Sequence, residues 1–278
     1  MHLPRGDVVM LRTAKPLVDL QGTEDCRDVP LQAVGVAGVR MPIRVLDPTQ
    51  GARETVATVR MAVGVPASVR GAHLSRFMEL IAAHGGSMTL AEIGEILADL
   101  RGRQGATSAE VVVEFDYFLR KEAPVSRAAG LLDYRCAFLG RDDGHSQDLR
   151  LRVEVPVATL CPCSKAISDA GAHNQRTIVR VDLKSTSIVW IEEVIGWVEA
   201  SGSCPLFPIL KREDEKWVTE HAYANPRFVE DVVRESVVRL RADQRVTWCQ
   251  VEAHSHESIH NHNAFAAAEW TRPSKALK

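Results

Sequence analysis

The chain is short of cysteine, almost without net charge, and free of long apolar runs. Its 278 residues hold six cysteines, Cys26, Cys136, Cys161, Cys163, Cys204 and Cys249, too sparse for a disulfide scaffold. A cytoplasmic protein with reduced thiols is the expectation. Lys and Arg number 34 against 36 Asp and Glu, for a formal net charge of -2. No overall basic field advertises nucleic acid, so an anionic ligand has to be held by local Lys and Arg. No stretch reaches membrane-spanning length, and the N-terminus lacks the apolar region of a signal peptide. Neither a membrane partner nor export is expected. The chain is 45% hydrophobic and 25% charged, as in an ordinary globular protein with one large core or two smaller ones.

Residues 1–30 read as a flexible leader, because "DLQGTEDCRDVP" is polar, turn-rich and aperiodic. Two Val-rich strands follow, "LQAVGVAGVRMPIRVLD" and "ETVATVRMAVGVP". In the second, Val59, Met61, Val63 and Val65 alternate as a half-buried strand requires. Two helical patterns come next. One sets Leu74, Phe77, Met78 and Ile81 at three-to-four spacing. The other sets Leu90, Ile93, Ile96, Leu97 and Leu100 behind an N-cap at Ser87 or Thr89. "AEVVVEFDYFLRKEAP" and "GLLDYRCAFLGR" read as two more strands.

That order then repeats. "DLRLRVEVPVATLCPC" alternates through Leu149, Leu151, Val153, Val155 and Val157, and "QRTIVRVDLK" follows as a strand. "IVWIEEVIGWVEAS" and "NPRFVEDVVRESVVRLRA" are helical, the latter behind an Asn225 N-cap with Pro226 in the first turn. "QRVTWCQVEAHS" and "SIHNHNAFAAAEW" close as strands. The charged run "LKREDEKWVTEHAY" reads as a solvated loop. Two ββααββ units imply an α+β fold, antiparallel sheet with paired helices on one face. The turn "RDDGHSQD" sets the boundary, so residues 31–145 form the first module and 146–278 the second.

Chemistry concentrates in the second module. In "LCPCSKAISDAGAHNQR", Cys161 and Cys163 flank Pro162, with Lys165, His173 and Arg176 close behind. If the alternation from Leu149 continues, both thiols point to the apolar side just past the strand end. Thiols so placed make a poor disulfide loop and suit a metal or nucleophile site, with buried inert cysteines as the alternative. His173 can offer a neutral imidazole. Downstream, "VEAHSHESIHNHNAFA" packs His254, His256, Glu257, His260 and His262 into nine residues. Mixed sulfur, nitrogen and oxygen donors with an open position are catalytic in style.

Five motifs together resemble the type IB GTP cyclohydrolase I family: "DLQGTEDCRDVPLQAVGV", "GAHLSRF", "CPCSKAISDAGAHNQR", "LKREDEKWVTEHAYANPRFVEDVVR" and "ESIHNHNAFA", in family order from Asp19 to Ala266. The resemblance implies a tunnelling fold of two such modules and a homotetramer with active sites at subunit interfaces. It implies conversion of GTP and water to 7,8-dihydroneopterin triphosphate and formate, the entry step to folate-type pterins. It also implies a divalent metal, zinc, manganese or iron.

By motif position, Cys161 would be metal ligand and essential thiolate. His173 and Glu215 would join the metal shell, and Glu257 and His260 would lie in or beside it. Cys163 would sit in the pocket. Glu230 would anchor the purine, since guanine presents N1–H and an exocyclic amine side by side to a carboxylate. Proton transfers would fall to His173, His260 and Cys163. Lys165, Arg176, Lys211, Arg212 and Arg76 of "GAHLSRF" are natural clamps for a triphosphate. His73 and Ser75 share the Arg76 motif, which would reach the pocket across a subunit boundary. The family often has Met, Glu and Asp where this chain has Leu74, Ala166 and Asn263; none of these is a proposed ligand. Two other readings stand beside this one. One is a tunnelling-fold nitrile reductase acting on a deazapurine with NADPH and a Cys nucleophile. The other is a non-catalytic purine-binding or zinc-stabilised assembly protein. "GAHNQR" and "ESIHNH" favour the cyclohydrolase over the reductase.

Overall fold

The computed structural model describes residues 19–84 and 87–273. Residues 1–18 of the expected leader lie outside them. In chain order the first half comprises β1 (Leu31–Asp47), β2 (Gly51–Val65), α1 (Leu74–Ala83), β3 (Ser87–Met88), α2 (Leu90–Gln104), β4 (Ala109–Glu122) and β5 (Ala129–Asp142). The second comprises β6 (Gln147–Leu160), α3 (Pro162–Ile167), β7 (Asn174–Ser185), α4 (Ile191–Glu199), β8 (Cys204–Pro205), α5 (Arg212–Ala224), α6 (Val229–Ala242), β9 (Val246–His256) and β10 (Ala264–Thr271). The strands form one sheet in the order β10-β9-β7-β6-β5-β4-β2-β1-β3, with β8 pairing β6. All pairings are antiparallel except the short β1–β3 contact. The α+β expectation, with helices packed on one face, describes this architecture.

Alternation decides which face is which. Val59, Met61, Val63 and Val65 on β2, and Leu151, Val153, Val155 and Val157 on β6, are all buried toward the helices. Burying such a side chain contributes roughly 1.5–3 kcal/mol. The opposite face is polar. Across β4, β5, β6, β7 and β9, Asp116, Arg135, Glu154, Arg180 and Glu252 are register partners in succession, so charge alternates from strand to strand. Arg180 pairs with Glu154 at 3.3 Å and Glu252 at 3.8 Å, the arrangement that keeps neighbouring strands from repelling. The long β1–β2 hairpin carries a register shift between Val36 and Val39. Gly38 sits there with φ +71, a conformation that glycine adopts without strain.

Local chemistry sets the helices. Thr89 caps α2 by accepting the Glu92 N–H at 3.3 Å, so Thr89 rather than Ser87 is the cap. In α1 only Phe77 and Leu80 are buried. Leu74 and Met78, which the spacing assigns to the core, are exposed. The charged run expected to be a loop is a helix, α5, and its formation has a clear cause. Buried Asp214 accepts the Lys211 N–H at 2.9 Å and the Val125 and Ser126 N–H groups at 2.9 Å each, which pins the first turn to the β4–β5 connection. The next helix starts later than expected. α6 begins at Val229, with the Phe228 N–H donating to Asp231 at 3.0 Å. Asn225 instead ends α5.

Beyond the β5–β6 pairing, side-chain contacts from β4 and β5 to α4 bind the halves. The hydroxyl of Tyr117 on β4 donates to Glu192 of α4. That of Tyr134 on β5 donates to Glu199 at 2.8 Å, and Lys121 reaches the same carboxylate at 2.5 Å. Burial, reinforced by these carboxylates, pushes both tyrosines far above the usual phenol range, so they remain donors. Residues 21–25 are laid along residues 68–71, with Arg70 and Gly71 N–H donating to the Thr23 and Gln21 carbonyls at 3.0 and 3.1 Å. No helix among the described residues is long and apolar enough to cross a membrane.

Candidate active site

Cys161 follows the last residue of β6, and Pro162 there starts α3 rather than letting the strand run on. The strand phase expected for Cys163 is therefore broken: Cys161 is half-buried as the N-cap of α3, while Cys163 is exposed on it. Ser164 is the pivot of this corner. Its N–H donates to Cys161 Sγ at 3.4 Å, and its hydroxyl accepts the His173 N–H at 3.3 Å. The Cys161 N–H donates to the His173 carbonyl at 3.1 Å, so these two residues are adjacent across the mouth of the β6–β7 pair. Gly171, at φ +78, lets the intervening loop turn back sharply enough for this.

A polar chain leads on from His173. Its Nδ1 lies 3.0 Å from Gln175 Oε1, and Gln175 Nε2 donates to Glu257 Oε1 at 3.4 Å. The Ser255 hydroxyl donates to the same oxygen at 3.0 Å. The β7–β9 pairing, which sets Arg176 opposite His256, brings these residues together from positions 82 apart in sequence. Beneath lies a buried hydroxyl row, Thr159, Thr177 and Ser255, with the first two 2.8 Å apart.

The connection between α5 and α6 is stitched under the same corner. The Arg227 N–H donates to the Leu160 carbonyl at 3.0 Å, and the Leu160 N–H donates to Ser203 Oγ at 3.0 Å. Asn225, expected as a helix cap, instead donates its amide to the Gly202 and Ser203 carbonyls at 3.0 and 3.3 Å. This carries Glu230, exposed in the first turn of α6, to within three residues of the Cys161 corner's own anchor. Arg227 Nε is buried with no hydrogen-bond partner among the described residues. Lys165 donates to the Tyr223 carbonyl and lies 4.3 Å over the Tyr223 ring, tying α3 to the end of α5.

Other sequence-derived candidates stand apart. Lys211, Arg212 and Glu215 are exposed at the start of α5, the end away from Tyr223. Arg176 is exposed on β7. His260 lies in the exposed loop between β9 and β10, its ring stacked on His262 at 4.9 Å. In the first half, Arg76 donates to the Arg103 carbonyl at 2.7 Å, His73 lies 3.3 Å from Asp19, and Ser75 is exposed. None of the hydrogen bonds of these three reaches the Cys161 corner. Among the described residues no three His, Cys, Asp or Glu side chains converge closely enough to hold a metal ion. The donor types nevertheless fit a divalent transition ion: a sulfur and an imidazole on adjacent residues, with a carboxylate one amide away. Two cavities, about 480 and 450 Å³, lie elsewhere, one between the starts of α2 and α4 and one on the polar sheet face. None of the candidate residues lines either.

Gln175 and Arg227 were not singled out by the sequence. Each sits inside a motif already quoted, "GAHNQR" and "NPRF", but neither residue type signals chemistry unless its neighbours in space are known.

Known proteins resemble this chain over most of its length. Residues 17–266 match the family model described as type I GTP cyclohydrolase folE2. The GTP cyclohydrolase FolE2 of Syntrophotalea carbinolica is 44% identical over 252 residues, 91% of this chain and 94% of that protein. That of Kosmotoga olearia is 47% identical over 251 residues, 90% of this chain and 97% of that protein. Among solved structures, uricase from Arthrobacter globiformis superposes with a TM-score of 0.53 at 9% identity, covering 89% of this chain and 96% of that one. At that identity the likeness concerns the fold alone, the tunnelling fold. A match over nearly the whole length, at identities well above those of shared architecture, means that the chain belongs to the GTP cyclohydrolase FolE2 family.

Proposed function

We propose that this chain is a GTP cyclohydrolase of the type IB class, converting GTP and water to 7,8-dihydroneopterin triphosphate and formate. The single observation that carries the reading is identity of 44–47% to GTP cyclohydrolase FolE2 proteins over about nine-tenths of the chain. The Cys161–His173–Gln175–Glu257 corner supports it with chemistry of the right kind.

Glu230 selects guanine, accepting N1–H and the exocyclic amine as a bidentate pair. Adenine presents an acceptor at N1 and leaves the carboxylate unpaired. Cys161 and His173 would hold the metal ion, with Glu215, Glu257 and His260 completing its shell. When bound, such an ion supplies Lewis acidity that makes water a nucleophile at neutral pH. Water adds at C8 of the imidazole ring and the ring opens to a formamide. A second water hydrolyses that to formate and a free amine, and the ribose rearranges and closes onto the amine with loss of one water. With His173 taken up as a ligand, His260 and Cys163 are the groups that would move protons to the ring nitrogens and the departing group. Lys165, Arg176, Lys211, Arg212 and Arg227 are the cations available to the triphosphate from this half.

The reading includes a cytoplasmic homotetramer. Glu215 and His260 are exposed in the single chain, and His73, Ser75 and Arg76 lie in the other half. Assembly between copies supplies what one chain leaves open, with the first-half motif reaching a neighbour's site. The test is direct. Purified protein with GTP and zinc, manganese or iron should release one formate per pterin, detected by fluorescence after oxidation. Absence of both products across the three metals overturns the reading. NADPH oxidation with a cyano-deazaguanine would install the reductase in its place.

A further inference from the structure

The hydrogen bonds around Gln175 fix more than its own position. A carboxylate only accepts hydrogen bonds. Glu257 Oε1 lies 3.4 Å from the Gln175 amide, so the nitrogen end of that amide must face it. The oxygen end therefore faces His173 Nδ1, at 3.0 Å. An amide oxygen also only accepts, so Nδ1 must carry a proton. In the neutral imidazole the lone pair is then on Nε2, the nitrogen with no hydrogen-bond partner among the described residues.

We infer that Gln175 is a positioning residue which, anchored by Glu257, holds His173 in the Nδ1–H tautomer and presents the Nε2 lone pair to the site. The anchor is itself fixed: Ser255, buried on β9, donates to the same Glu257 oxygen at 3.0 Å. Orientation thus passes from the sheet, through Ser255 and Glu257, to the amide and then the ring. The backbone holds His173 from the other side, through its N–H to Ser164 Oγ at 3.3 Å and its carbonyl to the Cys161 N–H at 3.1 Å. The ring is left little freedom to turn. A ligand imidazole whose second nitrogen donates to a fixed acceptor is the usual arrangement in metal sites, and loss of such a partner lowers metal affinity roughly 10- to 100-fold. Glu257 thereby acquires a role distinct from ligation, as the group that sets which end of the Gln175 amide meets the histidine. This deepens the cyclohydrolase reading by assigning His173 Nε2 as the ligand atom.

The experiment uses full-length, metal-free protein with 15N-labelled histidine at pH 8. Long-range proton–nitrogen correlation spectra report which ring nitrogen is protonated, and His173 is assigned by its loss in His173→Asn. The wild type should show Nδ1–H with an unprotonated Nε2. Gln175→Leu should lose that preference, and the exchanged pair Gln175→Glu with Glu257→Gln, which keeps an acceptor for Nδ1 and a donor–acceptor bond behind it, should keep it. Zinc titration should then show the Leu variant weakened by about 10- to 100-fold. A wild-type His173 with Nε2–H, or a folded Gln175→Leu with unchanged tautomer, overturns the inference. The spectra involve neither GTP nor turnover, so failure of the cyclohydrolase reading would leave this result standing, and failure here would leave formate release untouched.

Discussion

The two halves of the chain share a frame and differ in what is inserted into it. Each has two strands, helices over one face, and two closing strands. In the first half only two-residue β3 is added to that pattern. The second half adds α3 between β6 and β7, and β8 and α5 between α4 and α6. The Cys161 corner is built where those additions meet the frame: α3 begins at it, and the α5–α6 connection is bonded to Leu160 beneath it. The frame carries most of the burial, and the candidate site lies where the additions meet it. The first half's motif residues make ordinary structural bonds, Arg76 to a helix end and His73 to Asp19.

The contrast can be broken most sharply at its centre. Cys161→Ala should lower turnover on the order of 10³-fold or more, since it would remove the thiolate proposed to hold the metal. Its fold should survive, since the N-cap bond it loses is worth about 1 kcal/mol. Formate release and thermal melting, measured side by side, check both halves of that statement. Glu230→Gln comes next. It should cost about 10²-fold in kcat/KM for GTP, because one of two charge-assisted bonds to guanine is lost, and it should leave melting unchanged.

Acid should loosen α5 more than α2. Burial pushes the Asp214 carboxyl up, but bonds from the Ser126 hydroxyl and the Ser126, Lys211 and Val125 N–H groups outweigh it and hold the group well below the usual carboxylate range. A depressed folded-state value stabilises the fold above the unfolded value of about 3.9, and that stability fades as pH falls toward the folded value. Hydrogen exchange should therefore speed up in α5 below pH 4, and Asp214→Asn should reproduce the effect at neutral pH. Equal protection of α5 and α2 under acid would contradict it.

Thiol chemistry sharpens the comparison further. Burial pushes Cys204 and Cys249 up to about 11 and Cys136 well above the ordinary thiol range. Alkylation at pH 8 should mark exposed Cys26 and Cys163 first and spare the buried three, as peptide mass spectrometry would show. The smallest effect belongs to the first half. Thr89→Ala should cost about 1 kcal/mol of stability through its lost cap and leave turnover unaltered. A fall in activity there would mean that the division of labour is wrong.

Much of the frame was legible because alternation and burial coincide. Val59, Met61, Val63 and Val65 announce β2 without help from any partner. α5 was not legible, because its helix depends on Asp214 meeting Val125 and Ser126, nearly ninety positions away. Asn225 looked like a cap since caps and linker anchors use the same residue types, and only space tells them apart. At the site, spacing brought Cys161 and His173 to notice and the structure placed them side by side. It could not reveal Gln175, which stands between His173 and Glu257 only once the strands have paired.

The most direct test of the account is the X-ray absorption spectrum of the zinc-loaded protein. One thiolate beside imidazole and carboxylate predicts a single sulfur at about 2.3 Å with nitrogen and oxygen at about 2.0–2.2 Å, and no sulfur in Cys161→Ala. Two or more sulfurs, or a first shell without sulfur in the wild type, would contradict it.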